Sequence, residues 1–418
     1  MGSVRTSHRS LTLEASVASI RRITVLAALH RIGPYHDIRF QAATALMDLQ
    51  VLETRPASQE YPWEFTPKGN YCRHQLRGAA DPDRDAANPL LDRQLQALLN
   101  RLQPAVVVTT GWLDRAYHRL IWQAHRRGIP VVLISDSRQR DEPRTWPKEW
   151  LKRQLLHSYA AALVAGSESR AYLETLDFPA PGIFQPWDVV DNGAFAAGAE
   201  RARSHQLHDL PILSNPHFLC VSRFVAKKNH SGLLAAFGAY QQQGGSWGLR
   251  LIGAGPLELE IRSAIACLPN PSRVRIDPFL QLEPLQEAYG RASCFVLASH
   301  SDQWGLVVNE AMAAGLPVIV SANCGCCMDL IDPGVSGWVF DPEQPQVLTA
   351  LLHQAEAQSR SERSMMVAAG CQKLKRFDPR SFAEGLAQAV AWARTTHPKQ
   401  HSQARHGALL ARLLSHQP

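Results

Sequence analysis

Ser301-Asp302-Gln303-Trp304-Gly305-Leu306-Val307-Val308-Asn309-Glu310-Ala311-Met312-Ala313-Ala314-Gly315-Leu316-Pro317-Val318-Ile319 reads as loop, helix, turn and strand. The apolar run 294–298 before it has strand length and composition, and the glycines and Pro317 punctuate the stretch itself. A helix opening after Gly305 presents the N–H groups around Gly305, Leu306 and Val307 without intrahelical partners, and the positive end of its dipole points the same way. Such an end is a ready anion site. Glu310 follows Leu306 by four residues, so it shares that helical face one turn in. Read alone, the stretch is equally an ordinary helix carrying a solvated glutamate.

Outward from this window, short β-branched runs alternate with segments of helical periodicity, which is the pattern of parallel sheets covered by helices on both faces. In the first half, strands are expected at 23–29, 50–53, 105–109, 129–135, 161–165 and 182–184, with helices at 37–47, 91–102, 114–126, 146–158 and 168–176. A polar stretch at 191–215, with Asp191-Asn192-Gly193 and Asn215-Pro216, breaks the rhythm and is read as irregular. The alternation restarts with strands at 218–222, 249–253, 274–276, 294–298 and 317–321 and helices at 230–240, 257–267, 285–290, 306–313 and 346–357. The expectation is an N-terminal Rossmann-like domain over 1–200, a C-terminal one over 201–375, and, over 376–418, a terminal helix at 381–393, crossing back to the first domain, with a loosely held tail.

Two further groups lie at equivalent places in the second half. Arg223 and Lys228 follow the strand 218–222, and a guanidinium and an ammonium there suit a diphosphate. Each alone is more often a solvated loop cation. Asn229 is a candidate cap for the next helix. Gly253-Ala254-Gly255-Pro256 permits a tight turn and close backbone approach after the strand 249–253, as any strand-to-helix turn requires.

Together, Arg223 with Lys228, Gly253-Ala254-Gly255-Pro256, Asp302 with Glu310, and Gly315-Leu316-Pro317-Val318-Ile319 resemble the donor domain of family 4 (group 1) glycosyltransferases. The likeness is strong over 218–342 and weaker before it. It implies an α/β GT-B fold, two facing Rossmann-like doubly wound domains with a cleft between them. It also implies a retaining, metal-independent hexosyltransferase taking a UDP- or GDP-sugar as co-substrate, with no cofactor. Carried over, Arg223 and Lys228 hold the diphosphate, Glu310 the ribose, and Gly253, Gly255 and the backbone of Gly305, Leu306 and Val307 the donor. A front-face path, with the donor phosphate helping to deprotonate the acceptor, is part of the same implication. Asp302 stands where the family's pattern has a glutamate that contacts the donor sugar; the carboxylate is kept one methylene further back. Cys324, Cys326 and Cys327 replace a Gly-Gly-small-Pro-Glu pattern, and their spacing is not that of a zinc site.

In the first half, the loop His30-Arg31-Ile32-Gly33-Pro34-Tyr35-His36-Asp37 occupies the place of the family's glycine-containing acceptor loop. Gly33 and His36 are therefore substrate-binding candidates, although a histidine at a helix start commonly has a structural role. Ser135-Asp136-Ser137 stands where the family often has a histidine, which makes Asp136 its replacement candidate.

Composition narrows the class. With 418 residues, 45% hydrophobic and 19% charged, the chain is globular and neither disordered nor fibrous. No run reaches the roughly 18 apolar residues of a membrane span, the first 22 residues lack a secretory pattern, and the eight cysteines have no disulfide-scaffold spacing. A reduced, cytoplasmic protein is expected. The net charge of +7 favours anionic partners. It concentrates between 111 and 170, where eleven Lys or Arg face six Asp or Glu. There 146–156 reads as a basic amphipathic helix with tryptophans, suited to the inner face of an anionic membrane presenting a lipid-linked acceptor, although such a helix more often packs on its sheet with its cations in water. A glycan acceptor is the other expectation. Two rivals stay open: a sugar-nucleotide epimerase or phosphorylase on the same fold, and a non-catalytic anion or nucleic-acid binder, though no nucleic-acid motif is present.

Overall fold

The computed structural model describes residues 23–55, 63–76, 89–111, 114–204 and 216–415. The leader expectation for residues 1–22 lies outside them. The chain packs as two units, Met1–Val189 with Pro379–Pro418, and Val190–Asp378. The residue-200 boundary falls inside a helix of the second unit, Asn192–Ser204.

The first unit holds a seven-stranded sheet in the order β3-β2-β1-β4-β5-β6-β7. Its strands are β1 (Thr24–Leu29), β2 (Asp48–Glu53), β3 (Cys72–Gln75), β4 (Val106–Thr110), β5 (Val131–Ser135), β6 (Ala161–Val164) and β7 (Ile183–Phe184). All its pairings are parallel. The second unit holds β8 (His217–Val221), β9 (Gly248–Ile252), β10 (Val274–Asp277), β11 (Cys294–Leu297), β12 (Val318–Ser321) and β13 (Trp338–Phe340). They form a parallel sheet in the order β10-β9-β8-β11-β12-β13. Central strands such as Val131–Ser135 and Cys294–Leu297 are buried along their whole length, as expected where helices cover both faces. Each sheet reverses its winding direction once, between β1 and β4 in the first unit and between β8 and β11 in the second. In doubly wound sheets the crevice at such a reversal, outside the carboxyl ends of the strands, is where ligands bind.

Two expectations are corrected. The irregular stretch at 191–215 contains the helix Asn192–Ser204, whose Phe195, Gly198, Ala199 and Ala202 are buried. Its N-terminus is held by the Asp191 carboxylate, which accepts from the Ala194 amide at 2.9 Å, so a turn-like dipeptide proves to be a helix start. Its small residues admit a neighbour: a Cβ on Gly290 of the helix Leu282–Arg291 would meet the Ala199 carbonyl at 2.5 Å. The tail after 393 is not loose, because one helix runs from Pro379 to Leu414. Ala404, Ala408 and Ala411 are buried, and a Cβ on Gly407 would meet the Gln154 carbonyl at 2.9 Å. Small residues carry this packing face, and the His, Gln and Ser between them masked its period. The strands Cys72–Gln75 and Trp338–Phe340 and the helix Arg360–Leu374 also went unread. The first is an edge strand with no apolar residue beyond its cysteine, so hydrophobic alternation could not reveal it.

Candidate active site

The reversal point of the second unit gathers most of the candidate donor-site residues. Beyond β8, the Phe224 amide donates to the Ala254 carbonyl at 2.8 Å, and the Leu257 amide to the Phe224 carbonyl at 3.1 Å. These bonds pin the glycine turn against the Arg223 loop. A Cβ on Gly253 would collide with the Ser222 carbonyl, and one on Gly255 would lie 2.8 Å from the Phe224 amide nitrogen. The glycines are thus required by backbone approach. Asn229 has left-handed dihedrals (φ 53°, ψ 46°) and its Oδ1 accepts from the Gly232 amide at 3.0 Å. Its Nδ2 donates to the Ala298 carbonyl at 3.1 Å, which ties the loop after β8 to the end of β11.

The same tie sets Lys228 against Asp302. The Lys228 Nζ and Asp302 Oδ2 form a direct ion pair, with the side chains 11% and 15% exposed. Arg223 is half-buried on the same loop. The Asp302 loop is held from behind by the cysteine segment: Gly325 N donates to the Asp302 carbonyl and Cys326 N to the Trp304 carbonyl, both at 3.0 Å. Gly305 (φ 98°, ψ 59°) then opens the helix Leu306–Ala313 with no side chain capping it, so the first amides, those of Leu306 and Val307, mark the helix mouth. Cys324, Cys326 and Cys327 are all buried. Burial, together with Cys327, Cys324 and Asp302, pushes the Cys326 thiol well above its ordinary range. Among the described residues, no group of three or more His, Cys, Asp or Glu is arranged to hold a metal ion.

Glu310 lies deeper, 1% exposed, where Tyr289 Oη donates to its Oε2 at 2.7 Å. Tyr289 is fully buried and packs edge-on against Phe195 at 5.8 Å. Sequence reasoning missed this tyrosine because it stands in an apolar helix register where an aromatic reads as core. Trp304 Nε1 likewise donates to Asn309 Oδ1 at 2.9 Å, locking the loop onto the helix it precedes.

In the first unit, His36 Nδ1 accepts from the Gly33 amide at 3.2 Å, closing the start of the helix Pro34–Ala43. Burial, then Arg39 and His30, push the imidazole down to about 3, so His36 is neutral near pH 7 and serves as a cap. Asp136 is half-buried beyond β5, and its carbonyl accepts from Ser169 Oγ at 3.0 Å. The two candidate groups stand at different strand ends of one sheet, with His36 after β1 and Asp136 after β5.

Residues 209–372 match the family model of glycosyl transferases group 1. The amylovoran biosynthesis glycosyltransferase AmsK of Erwinia amylovora is 34% identical over 140 residues, 32% of this chain and 34% of that protein. A D-inositol 3-phosphate glycosyltransferase of Thermobifida fusca is 34% identical over 116 residues, 28% of this chain and 26% of that protein. The chain thus spans about a third or less of the length of these curated relatives. Anabaena HepE, solved in complex with UDP, superposes with a TM-score of 0.68 at 15% identity, covering 88% of this chain and 98% of that one. Sucrose-phosphate synthase of Thermosynechococcus elongatus gives 0.67 at 19% identity, covering 88% and 98%. The fold is that of the GT-B enzymes, two Rossmann-like parallel-sheet units.

Proposed function

We propose that the chain is a family 4 glycosyltransferase that moves a hexosyl group from a UDP- or GDP-sugar to a hydroxyl of a glycan or lipid-linked acceptor, with retention and without a metal. The observation that carries this reading is the Lys228–Asp302 ion pair set beside the Gly305 helix mouth at the reversal point of the second sheet. Lys228 and Arg223 meet the diphosphate charge that grows as the sugar departs, the stage at which a fixed cation lowers a barrier most. Asp302 accepts from sugar hydroxyls, and its engagement with Lys228 fixes its rotamer. Gly253 and Gly255 let the backbone approach the nucleotide, and Leu306 and Val307 offer amides to the phosphate. Glu310, oriented by Tyr289, is assigned the ribose on the family resemblance. UDP bound to HepE supports the donor class.

The first unit is assigned the acceptor, through Gly33, His36 and Asp136. Among the described residues no helix is long and apolar enough to cross a membrane. We place the protein in the cytoplasm, touching the inner membrane face through the helix Trp146–Leu156. Its Trp146 is 77% and Trp150 49% exposed, while Leu155 and Leu156 are buried.

A thermal-shift panel of UDP-, GDP- and ADP-sugars tests the donor site, because a ligand of the folded state raises its stability by mass action. One sugar nucleotide at 100 times its Kd adds about 2.7 kcal/mol to the wild type, and Lys228→Ala removes most of the shift. A wild type unmoved by every donor, or a variant shifted equally, sinks the assignment. Interconversion of free sugar nucleotide with no acceptor marks the epimerase reading instead.

A further inference from the structure

The three cysteines behind the Asp302 loop take no part in the proposed transfer, and two of them are placed for a reaction of their own. Cys324-Gly325-Cys326-Cys327 has C-x-x-C spacing, and the chain turns over these four residues, with the Cys327 amide donating to the Cys324 carbonyl at 3.1 Å. A hydrogen-bonded turn holds its first and fourth Cα atoms within about 7 Å, and a disulfide spans Cα separations of about 4.4–6.8 Å. The side chains agree with the backbone. The Cys324 amide at 3.0 Å and the Cys327 Sγ at 3.2 Å both donate to the Ser321 carbonyl, so the Cys327 sulfur lies against the backbone of Cys324.

Cys326 is a poorer partner for either. Adjacent Cα atoms, about 3.8 Å apart across a trans peptide, are closer than an unstrained disulfide takes, which separates Cys326 from Cys327. Its sulfur packs instead at the helix mouth, 3.6 Å from where a Cβ on Gly305 would stand. Cys324 is fully buried, whereas Cys327 keeps 7% of its surface exposed and is followed by Met328, 69% exposed, so a small reagent reaches Cys327 first.

We propose that hydrogen peroxide closes Cys324 and Cys327 into a disulfide, and that this bond weakens donor binding. The Cys327 sulfur attacks one peroxide oxygen: the S–O bond forms, the O–O bond breaks, and the departing hydroxide takes the thiol proton to become water. The Cys324 sulfur then attacks the sulfenic acid at Cys327: the S–S bond forms, the S–O bond breaks, and the second hydroxide leaves with the Cys324 proton as water. The two thiols lose two electrons and the peroxide gains them. The bond draws Cys327 Sγ off the Ser321 carbonyl and pulls on Cys324, whose backbone forms a parallel bridge with Asp302. The residues on either side of Cys324 grip Asp302 as well, since the Asp302 amide donates to the Asn323 carbonyl at 3.3 Å and the Gly325 amide to the Asp302 carbonyl at 3.0 Å. A shift in this turn therefore reaches the carboxylate that pairs with Lys228. The effect on the donor rests on the glycosyl-transfer reading; the disulfide does not.

The test treats the full chain with hydrogen peroxide, removes the reagent, and reads peptide masses after peptic digestion beside the thermal shift given by the sugar nucleotide that moves the reduced protein most. In the wild type the segment 324–327 is expected to lose about 2 Da, the two hydrogens of one disulfide, with the link between 324 and 327. The donor-induced shift is lost with it, and dithiothreitol restores both. Cys326→Ala behaves as wild type. Cys324→Ala and Cys327→Ser form no link and keep their donor shift through the peroxide step; where either fails to fold, the mapped link in the wild type decides. The proposal is overturned if the segment stays unchanged or gains oxygen instead, if the link joins Cys326, if the linked protein keeps its donor shift, or if reduction does not bring the shift back. A protein that forms the link but binds no donor when reduced removes the glycosyl-transfer reading and the effect on the donor, and leaves the disulfide standing.

Discussion

The two sheets reverse at equivalent places and equip those places differently. At the second reversal point, between β8 and β11, the surface is shaped by backbone: glycines pressed on carbonyls, a helix mouth, an asparagine tying two loops. At the first, between β1 and β4, it is shaped by side chains brought together from three strand ends, His30, Arg55 and Asp114. A backbone-built site tolerates few substitutions, because each changes the path of the chain, whereas a side-chain-built one can be altered without unfolding it.

Paired glycine substitutions test that contrast and carry the largest expected effect. Gly253→Ala forces a methyl into the Ser222 carbonyl, a backbone atom that cannot rotate away, so the expected loss of stability is about 3 kcal/mol or more. Gly33→Ala meets only His36 Nδ1 at 3.7 Å and keeps its negative φ, so its effect stays within about 0.5 kcal/mol. Urea titration of both variants measures the difference. Equal losses would end the distinction between a backbone-built and a side-chain-built site.

This contrast also explains which features are legible in the sequence alone. The window 301–319, the glycine turn and Arg223 with Lys228 are local in sequence, and a backbone-built site leaves its signature in consecutive residues. Both sheets and most of their strands are legible for the same reason, since buried parallel strands are short apolar runs. His30 and Asp114 lie far apart in sequence, and only the strand order brings them into contact, so no spacing rule could join them. The helix Asn192–Ser204 and the C-terminal half of Pro379–Leu414 were missed because alanine and glycine make their contacts by being small, which hydrophobic periodicity does not register.

A second, smaller effect concerns one imidazole in each unit. His230 is buried, its Nε2 3.0 Å from Ser222 Oγ, and burial with Lys228 lowers it to about 4. His36 is lowered to about 3 by burial, Arg39 and His30. In both, the folded state favours the neutral ring, so the stabilisation is complete above the unfolded value near 6.5 and is lost as pH falls through the folded value. For His230 that amounts to about 3 kcal/mol. Melting temperatures from pH 7 to 4 should fall less steeply for His230→Phe than for wild type, and the His36→Phe difference should begin at the same pH and keep growing below pH 4. Identical slopes would show that neither ring contributes.

The smallest effect on stability separates the surfaces of the two units, and here the charge of the chain has to be reconsidered. Part of the cationic excess between 111 and 170 is met by acids outside that stretch but within the unit: Arg119 pairs with Asp92, Arg153 with Asp177 and Arg170 with Glu174. Charge alone therefore gives this face little hold on an anionic surface. What distinguishes it is aromatic: Trp146 and Trp150 are exposed, whereas the large exposed hydrophobics described on the second unit are Leu259, Met328, Val335 and Met365, none aromatic. Tryptophan sits well at the boundary of headgroups and acyl chains, and the exposed Lys148 on the same turn adds a charge that anionic lipid attracts. Replacing both tryptophans by serine should leave the melting temperature within about 1 °C, because exposed side chains contribute little to folding. The same change should weaken sedimentation with phosphatidylglycerol vesicles about tenfold, since two aromatic anchors leave the interface. Vesicle binding that survives the double substitution and vanishes in about 0.5 M salt would return the interaction to charge and remove this helix as the contact.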